Sequence, residues 1–174
     1  MKKAQRSISL IGFMGTGKTT IGRALASSLK RDFIDTDPLI ESRVGKSIFR
    51  VFSEDGEAFF RDIEAQIVKE VYGIRSSVVA LGGGAILNPE IATLVRENSA
   101  VVLLRSSVET IISRTSSNRL RPLLNVTAED LKQRVTTLLT EREAAYSDAM
   151  DIEIHTDSMN VGEAVSEIIR RLEL

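Results

Sequence analysis

Residues Gly12-Phe13-Met14-Gly15-Thr16-Gly17-Lys18-Thr19 spell G-x-x-x-x-G-K-T, and they stand between a short apolar run, Ile8-Ser9-Leu10-Ile11, and a helical pattern carried by Ile21, Ala24, Leu25 and Leu29. This is a phosphate-binding loop in its required strand-to-helix setting. A polyphosphate must be ringed by backbone N–H groups, and only a tight turn largely free of Cβ atoms can aim them inward. Lys18 adds a positive charge between the terminal phosphates, the Thr19 hydroxyl can ligate Mg²⁺, and the following helix presents its N-terminal dipole to the anion. The chain is therefore expected to bind a nucleoside triphosphate. The motif alone does not separate a kinase from an ATPase or a switch.

Bulk properties narrow the choice. A chain of 174 residues with 43% hydrophobic content suffices for one domain with a two-sided core. The formal charge is −1 with scattered Lys and Arg, which proposes neither a nucleic-acid groove nor an acidic tail. There are no cysteines and a single histidine, so thiolate and His-cluster metal sites are excluded and oxygen-bound Mg²⁺ is the metal expected. The basic start, residues 1–7, leads directly into the first strand rather than a signal peptide, and no run approaches the roughly 20 apolar residues of a membrane span. A cytoplasmic protein acting on small molecules, with no nucleic-acid or membrane partner and as a monomer, is expected.

Along the chain, Arg31-Asp32-Phe33-Ile34-Asp35-Thr36-Asp37-Pro38 reads as a short strand ending in acids, with Pro38 opening a helix at its first position. Apolar residues at helical spacing from Ser47 to Tyr72, interrupted at Asp55-Gly56, predict two helices with a turn between them. Residues 77–81, 100–104 and 152–155 read as strands, and residues 108–114, 128–146 and 161–172 as helices. The polar segment 115–124 between two of those helices is the candidate mobile loop. Strands alternating with helices predict an α/β fold with a parallel sheet and right-handed crossovers.

Such sheets bind ligands beyond the carboxyl ends of their strands. The glycine loop, the Asp35/Asp37 pair and Gly82-Gly83-Gly84 all follow strands, so they are expected to share one crevice. Arg61 and Glu64 are three apart on a predicted helix, which lets the carboxylate orient the guanidinium toward an anionic substrate.

The ordered set Gly12 to Thr19, Asp35-Thr36-Asp37, Gly56-Glu57-x-x-Phe60-Arg61-x-x-Glu64, Gly82-Gly83-Gly84-Ala85, Arg121-Pro122-Leu123-Leu124 and Arg142-x-x-x-Tyr146 resembles shikimate kinase over nearly the whole chain. The resemblance implies a single P-loop kinase domain over residues 1–174. In it a five-stranded parallel sheet is flanked by helices, with a substrate-binding helical insertion at about 37–64 and a mobile lid at about 115–126. It implies transfer of the ATP γ-phosphoryl group to the 3-hydroxyl of shikimate in aromatic amino-acid precursor synthesis. Arg61 and Arg142 match the arginines that grip the shikimate carboxylate. Asp37 matches the residue that orients the reacting hydroxyl, Gly82, Gly83 and Gly84 match the backbone against the substrate ring, and Phe52 and Phe60 match the pocket wall. On the nucleotide side it implies phosphate contacts from Gly12, Gly15, Thr16, Gly17, Lys18, Thr19 and Thr20, one Mg²⁺ held by Thr19 and Asp35, a lid arginine at Arg121 and adenine stacking by Arg114. Lys18, Asp37 and Arg121 become the catalytic set. Between Arg142 and Tyr146 this chain carries Glu143-Ala144-Ala145, where many relatives have proline and leucine before the tyrosine. A kinase for another small hydroxy acid, such as gluconate, and a nucleotide-binding module without transferase activity are the competing readings.

Overall fold

The computed structural model describes residues 6–73, 76–115 and 128–174. Five strands, β1 (Ser7–Ile11), β2 (Asp32–Asp35), β3 (Ser77–Ala80), β4 (Ser99–Arg105) and β5 (Ile152–His155), form one sheet in the order β2-β3-β1-β4-β5. Every pairing is parallel. The strands are joined through helices α1 (Lys18–Leu29), α2 (Thr36–Val44), α3 (Ile48–Glu54), α4 (Gly56–Tyr72), α5 (Pro89–Asn98), α6 (Val108–Thr115), α7 (Ala128–Ala149) and α8 (Val161–Leu172).

The central strands read as continuous apolar runs because both of their faces are covered. Along β4, Val101 and Leu103 enter a core shared with α4 and α5, whereas Val102 and Leu104 enter the opposite core with α1 and α8. A smaller cluster of Phe13, Ile111, Val135 and Leu138 joins the phosphate loop to α6 and α7. Because β1 lies between β3 and β4, the connections leaving β1 and β3 diverge there, and the sheet opens a crevice at its carboxyl edge.

Two sequence expectations are corrected. The helix after β2 begins at Thr36, not Pro38: the Asp35 carboxylate accepts the Asp37 N–H at 3.3 Å and caps the helix two residues earlier. Pro38 then falls within the first turn, where its missing N–H costs nothing. Asp37 consequently sits inside a helix rather than on a strand end. The expectations also omitted α5, whose start is marked by Asn88 accepting the Glu90 N–H at 2.9 Å and by Pro89 at the first helical position.

One polar chain threads the apolar interior. The Tyr72 hydroxyl donates to Ser9 Oγ, which donates to Ser99 Oγ at 2.6 Å, which donates to the Val95 carbonyl at 2.6 Å. Each buried hydroxyl is thereby satisfied, and β1, β4, α4 and α5 are fixed to one another beneath the crevice. Burial pushes the Tyr72 hydroxyl up to about 12, with the hydrogen bonds to Ser9 and Ser99 pulling the other way. An acid whose folded value lies above its ordinary value of 10.0 contributes stability that is intact below pH 10 and lost as pH rises through about 12. Urea unfolding from pH 9 to 12 should accordingly show a steeper loss in the unaltered protein than in Tyr72→Phe, and parallel curves would contradict it.

Candidate active site

The phosphate loop leaves β1 through a backbone that only glycine can supply at its first position. Gly12 has φ 135°, and a Cβ there would lie 2.3 Å from the Leu104 carbonyl oxygen. Gly15 and Gly17 also have positive φ, 79° and 95°. Lys18 opens α1 and curls over the loop, its Nζ donating to the carbonyls of Gly12 at 2.8 Å and Phe13 at 2.9 Å. The Thr16 side chain faces inward, buried, and closes the turn on the Phe13 carbonyl at 2.8 Å. Thr20 is exposed and lies on the crevice wall.

Thr19 and Asp35 meet across the mouth of the loop, with Thr19 Oγ1 donating to Asp35 Oδ2 at 2.7 Å. A hydroxyl and a carboxylate already in contact are the oxygen donors that suit Mg²⁺, which takes one or two protein ligands and completes its shell from phosphates and water. Among the described residues no group of three or more His, Cys, Asp or Glu is placed to hold a metal by itself. The pair therefore fits an ion that arrives with the nucleotide.

The other half of the crevice is organised by Gly82-Gly83-Gly84 at the end of β3. A Cβ on Gly82 would lie 2.8 Å from Glu64 Oε1 and 2.9 Å from Asp37 Oδ1. One on Gly84 would lie 2.7 Å from Arg61 Nη2. The run is held from both sides: the Gly82 N–H donates to Thr36 Oγ1 at 3.1 Å, and the Gly83 carbonyl accepts from Arg142 Nη1 at 3.1 Å and the Tyr146 hydroxyl at 2.6 Å. The glycines thus make room first for the protein's own charged side chains, which close around them.

Arg61 is fixed at three points. Its Nη1 donates to Glu64 Oε2 at 2.7 Å, its Nη2 to Glu57 Oε1 at 3.0 Å, and its guanidinium lies 5.2 Å from the Phe60 ring centre. Phe60 in turn meets Phe52 with ring centroids 4.7 Å apart. Arg142 is buried, 5% exposed, and rests 5.2 Å from the Phe13 ring centre, so the phosphate loop itself supports an arginine of the second half. The Glu143-Ala144-Ala145 sequence leaves α7 unbroken at this point, and Glu143 anchors it to β4 by accepting from Arg105 Nη1 at 2.6 Å. Burial pushes the Glu64 carboxyl above the ordinary range and Asp37 adds in the same direction, while Arg61 and Arg142 pull it back.

These parts enclose one crevice of about 780 Å³, within the range of small-molecule sites. Its walls carry Lys18, Thr19 and Asp35 on the loop side and Asp37, Phe52, Phe60, Arg61, Gly82, Gly83, Gly84 and Arg142 opposite, with Arg114 at the outer edge. Gly12 and Thr16 support the loop from beneath. Arg121 and residues 116–126 of the expected lid lie outside the described residues. Sequence reasoning missed Thr36 and Phe13. Thr36 is a fully buried polar residue between two acids, a pattern that marks a hydroxyl spent on backbone groups, whereas nothing local identifies Phe13 as the platform for Arg142.

A glycine loop facing a pocket with two oriented guanidinium groups and a carboxylate defines a P-loop kinase for a small anionic acceptor. The family model described as shikimate kinase matches residues 14–173. A shikimate kinase from Pelotomaculum thermopropionicum is 43% identical over 168 residues, covering 97% of this chain and 96% of the relative. One from Chlorobium chlorochromatii is 42% identical over 99% of this chain and 94% of its own length. A shikimate kinase from Acinetobacter baumannii, solved in complex with shikimate, superposes with a TM-score of 0.92 at 34% identity, covering 97% of this chain and 93% of that one. The chain belongs to the shikimate kinase family. No helix among its described residues is long and apolar enough to cross a membrane.

The geometry of the loop makes Gly12 its least replaceable residue. Gly12→Ala should abolish Mg·ATP binding in calorimetry, because the methyl group cannot pass the Leu104 carbonyl without shifting β4 or the loop. Retained affinity would contradict the assignment of strain to this position.

Proposed function

We propose that this chain transfers the γ-phosphoryl group of ATP to the 3-hydroxyl of shikimate, using the crevice between the glycine loop and Gly82-Gly83-Gly84. The observation that carries the reading is the arrangement around that glycine run. Arg61, Arg142 and Asp37 face one small space, which suits a ligand bearing a carboxylate at one end and hydroxyls at the other.

The roles follow from charge and position. Arg61 and Arg142 bind the acceptor carboxylate, a task for which a planar guanidinium is better shaped than an ammonium. Asp37 accepts a hydrogen bond from the 3-hydroxyl and orients its oxygen toward the γ-phosphorus. As that oxygen forms its bond to phosphorus, the bond from phosphorus to the β–γ bridging oxygen breaks, ADP leaves, and Asp37 receives the hydroxyl proton. In a loose transition state this positioning contributes at least as much as the proton transfer. Lys18 steadies the phosphoryl oxygens, exchanging its contacts with the Gly12 and Phe13 carbonyls for the nucleotide. Thr19 and Asp35 would hold Mg²⁺, which neutralises phosphate charge when bound. Phe52 and Phe60 keep one face of the acceptor dry. Arg121 is assigned to the phosphates and Arg114 to the adenine on the strength of the sequence resemblance. We take the chain to act as a monomer in the cytoplasm.

A coupled ADP-release assay tests the reading. We expect turnover that depends on shikimate and is absent with gluconate; no shikimate-dependent turnover would refute it. Asp37→Asn should lower kcat by about 10²–10⁴ with a small change in shikimate KM. Arg61→Ala should chiefly raise shikimate KM, by roughly tenfold or more, since a charge-assisted contact is lost from the bound state. Near-normal kcat in Asp37→Asn would remove that residue from the reacting hydroxyl.

A further inference from the structure

Thr156 follows β5 and is 2% exposed, yet all three of its polar groups are directed at the nucleotide half of the crevice or its supports. Its N–H donates to the Arg105 carbonyl at 2.8 Å, where β4 ends. Its carbonyl accepts from Arg114 Nη2 at 3.1 Å. Its hydroxyl lies 3.2 Å from the Thr16 carbonyl, 2.7 Å from Ser106 Oγ and 3.2 Å from Arg114 Nη1.

A hydroxyl has one proton to give and two lone pairs to offer. The Arg105 carbonyl, 3.1 Å from Oγ1, already receives the Thr156 N–H. The proton is therefore best used on the Thr16 carbonyl, and the lone pairs accept from Ser106 and Arg114. That choice has a consequence for the phosphate loop. In a trans peptide the C=O of one residue and the N–H of the next point in opposite directions. Drawing the Thr16 carbonyl toward Thr156 turns the Gly17 N–H the other way, into the loop's interior. Arg114 acts in parallel on the preceding residue, its Nη1 donating to the Gly15 carbonyl at 3.2 Å.

We infer that Thr156 is a positioning residue for the nucleotide: its hydroxyl sets the Thr16–Gly17 peptide for phosphate binding and its hydroxyl and carbonyl together fix the Arg114 guanidinium. The inference rests on reading residues 12–19 as the ATP site, and goes beyond it by assigning a determinant of ATP affinity 140 residues distant in sequence. None of the Thr156 contacts reaches Asp37, Arg61 or Arg142, so its effect belongs to the ATP half alone.

The test compares Thr156→Val and Thr156→Ser in the full chain, measuring Mg·ATP affinity by calorimetry and shikimate KM by ADP release. Valine keeps the shape and leaves the Thr16 carbonyl, Ser106 and Arg114 short of a partner, so ATP affinity should fall about tenfold or more. Shikimate KM should stay within about twofold, and serine should restore most of the affinity. A folded Thr156→Val with unchanged ATP affinity, an equal loss for both substrates, or a serine variant as weak as the valine one would overturn the inference. Should valine prevent folding, as judged by circular dichroism, Ser106→Ala decides. It removes one hydroxyl from the same cluster at a partly exposed position and should weaken ATP about threefold, with no change overturning the claim. Failure of the unaltered chain to bind Mg·ATP would overturn the nucleotide reading and this inference with it.

Discussion

The close approach of Gly82-Gly83-Gly84 to four charged side chains is the constraint on which the crevice depends. Asp37 and Glu64 flank the first glycine, Arg142 binds the carbonyl of the second, and Arg61 covers the third. Two acids and two bases are held within one small volume, where alternation of sign keeps the burial of each affordable. Because the run has no side chains, its backbone can lie against these groups and still leave their outer faces to a ligand. Any Cβ at the first or third position would enter space that a carboxylate or guanidinium occupies.

The sheet places this run beside the phosphate loop. Strands β3 and β1 are neighbours, so the loops that follow them open onto the same edge. The two halves are mechanically joined as well as adjacent. Phe13 of the phosphate loop underlies Arg142, and the Gly12 backbone is fitted against the end of β4. Donor and acceptor sites consequently share walls, which suits a direct transfer from one ligand to the other with water kept out.

Much of this was legible in the sequence because its signals are local. The glycine loop, the acids at 35 and 37, the glycines at 82–84 and the Arg61/Glu64 pair stand in patterns that local chemistry explains, and the parallel-sheet rule brings the first three to one edge, whereas Arg142 is identified only through the family resemblance. The start of α2 was misread because Pro38 is a strong helix-opening signal, whereas the competing Asp35 cap depends on how its carboxylate turns back to the Asp37 N–H. Helix α5 was missed although Asn88-Pro89 marks its start and Ile91, Leu94 and Val95 stand at helical spacing: at ten residues between two buried strands it passes for a connecting loop. The parts played by Phe13 and Thr156 could not be read at all. Each acts through contacts across tens of residues of sequence, and a buried threonine has no local mark that separates a hub from ordinary packing.

The acceptor half of the crevice rests on the glycine run positioning the charged groups that bind its ligand. Gly84→Ala addresses it directly, since the added methyl group would meet the Arg61 guanidinium at 2.7 Å, and the three atoms nearest to it all belong to that guanidinium of the acceptor half. Steady-state kinetics of that variant should show shikimate KM raised about tenfold or more and ATP KM within about twofold of the unaltered protein. An unchanged shikimate KM, or an equal rise for both substrates, would contradict the claim.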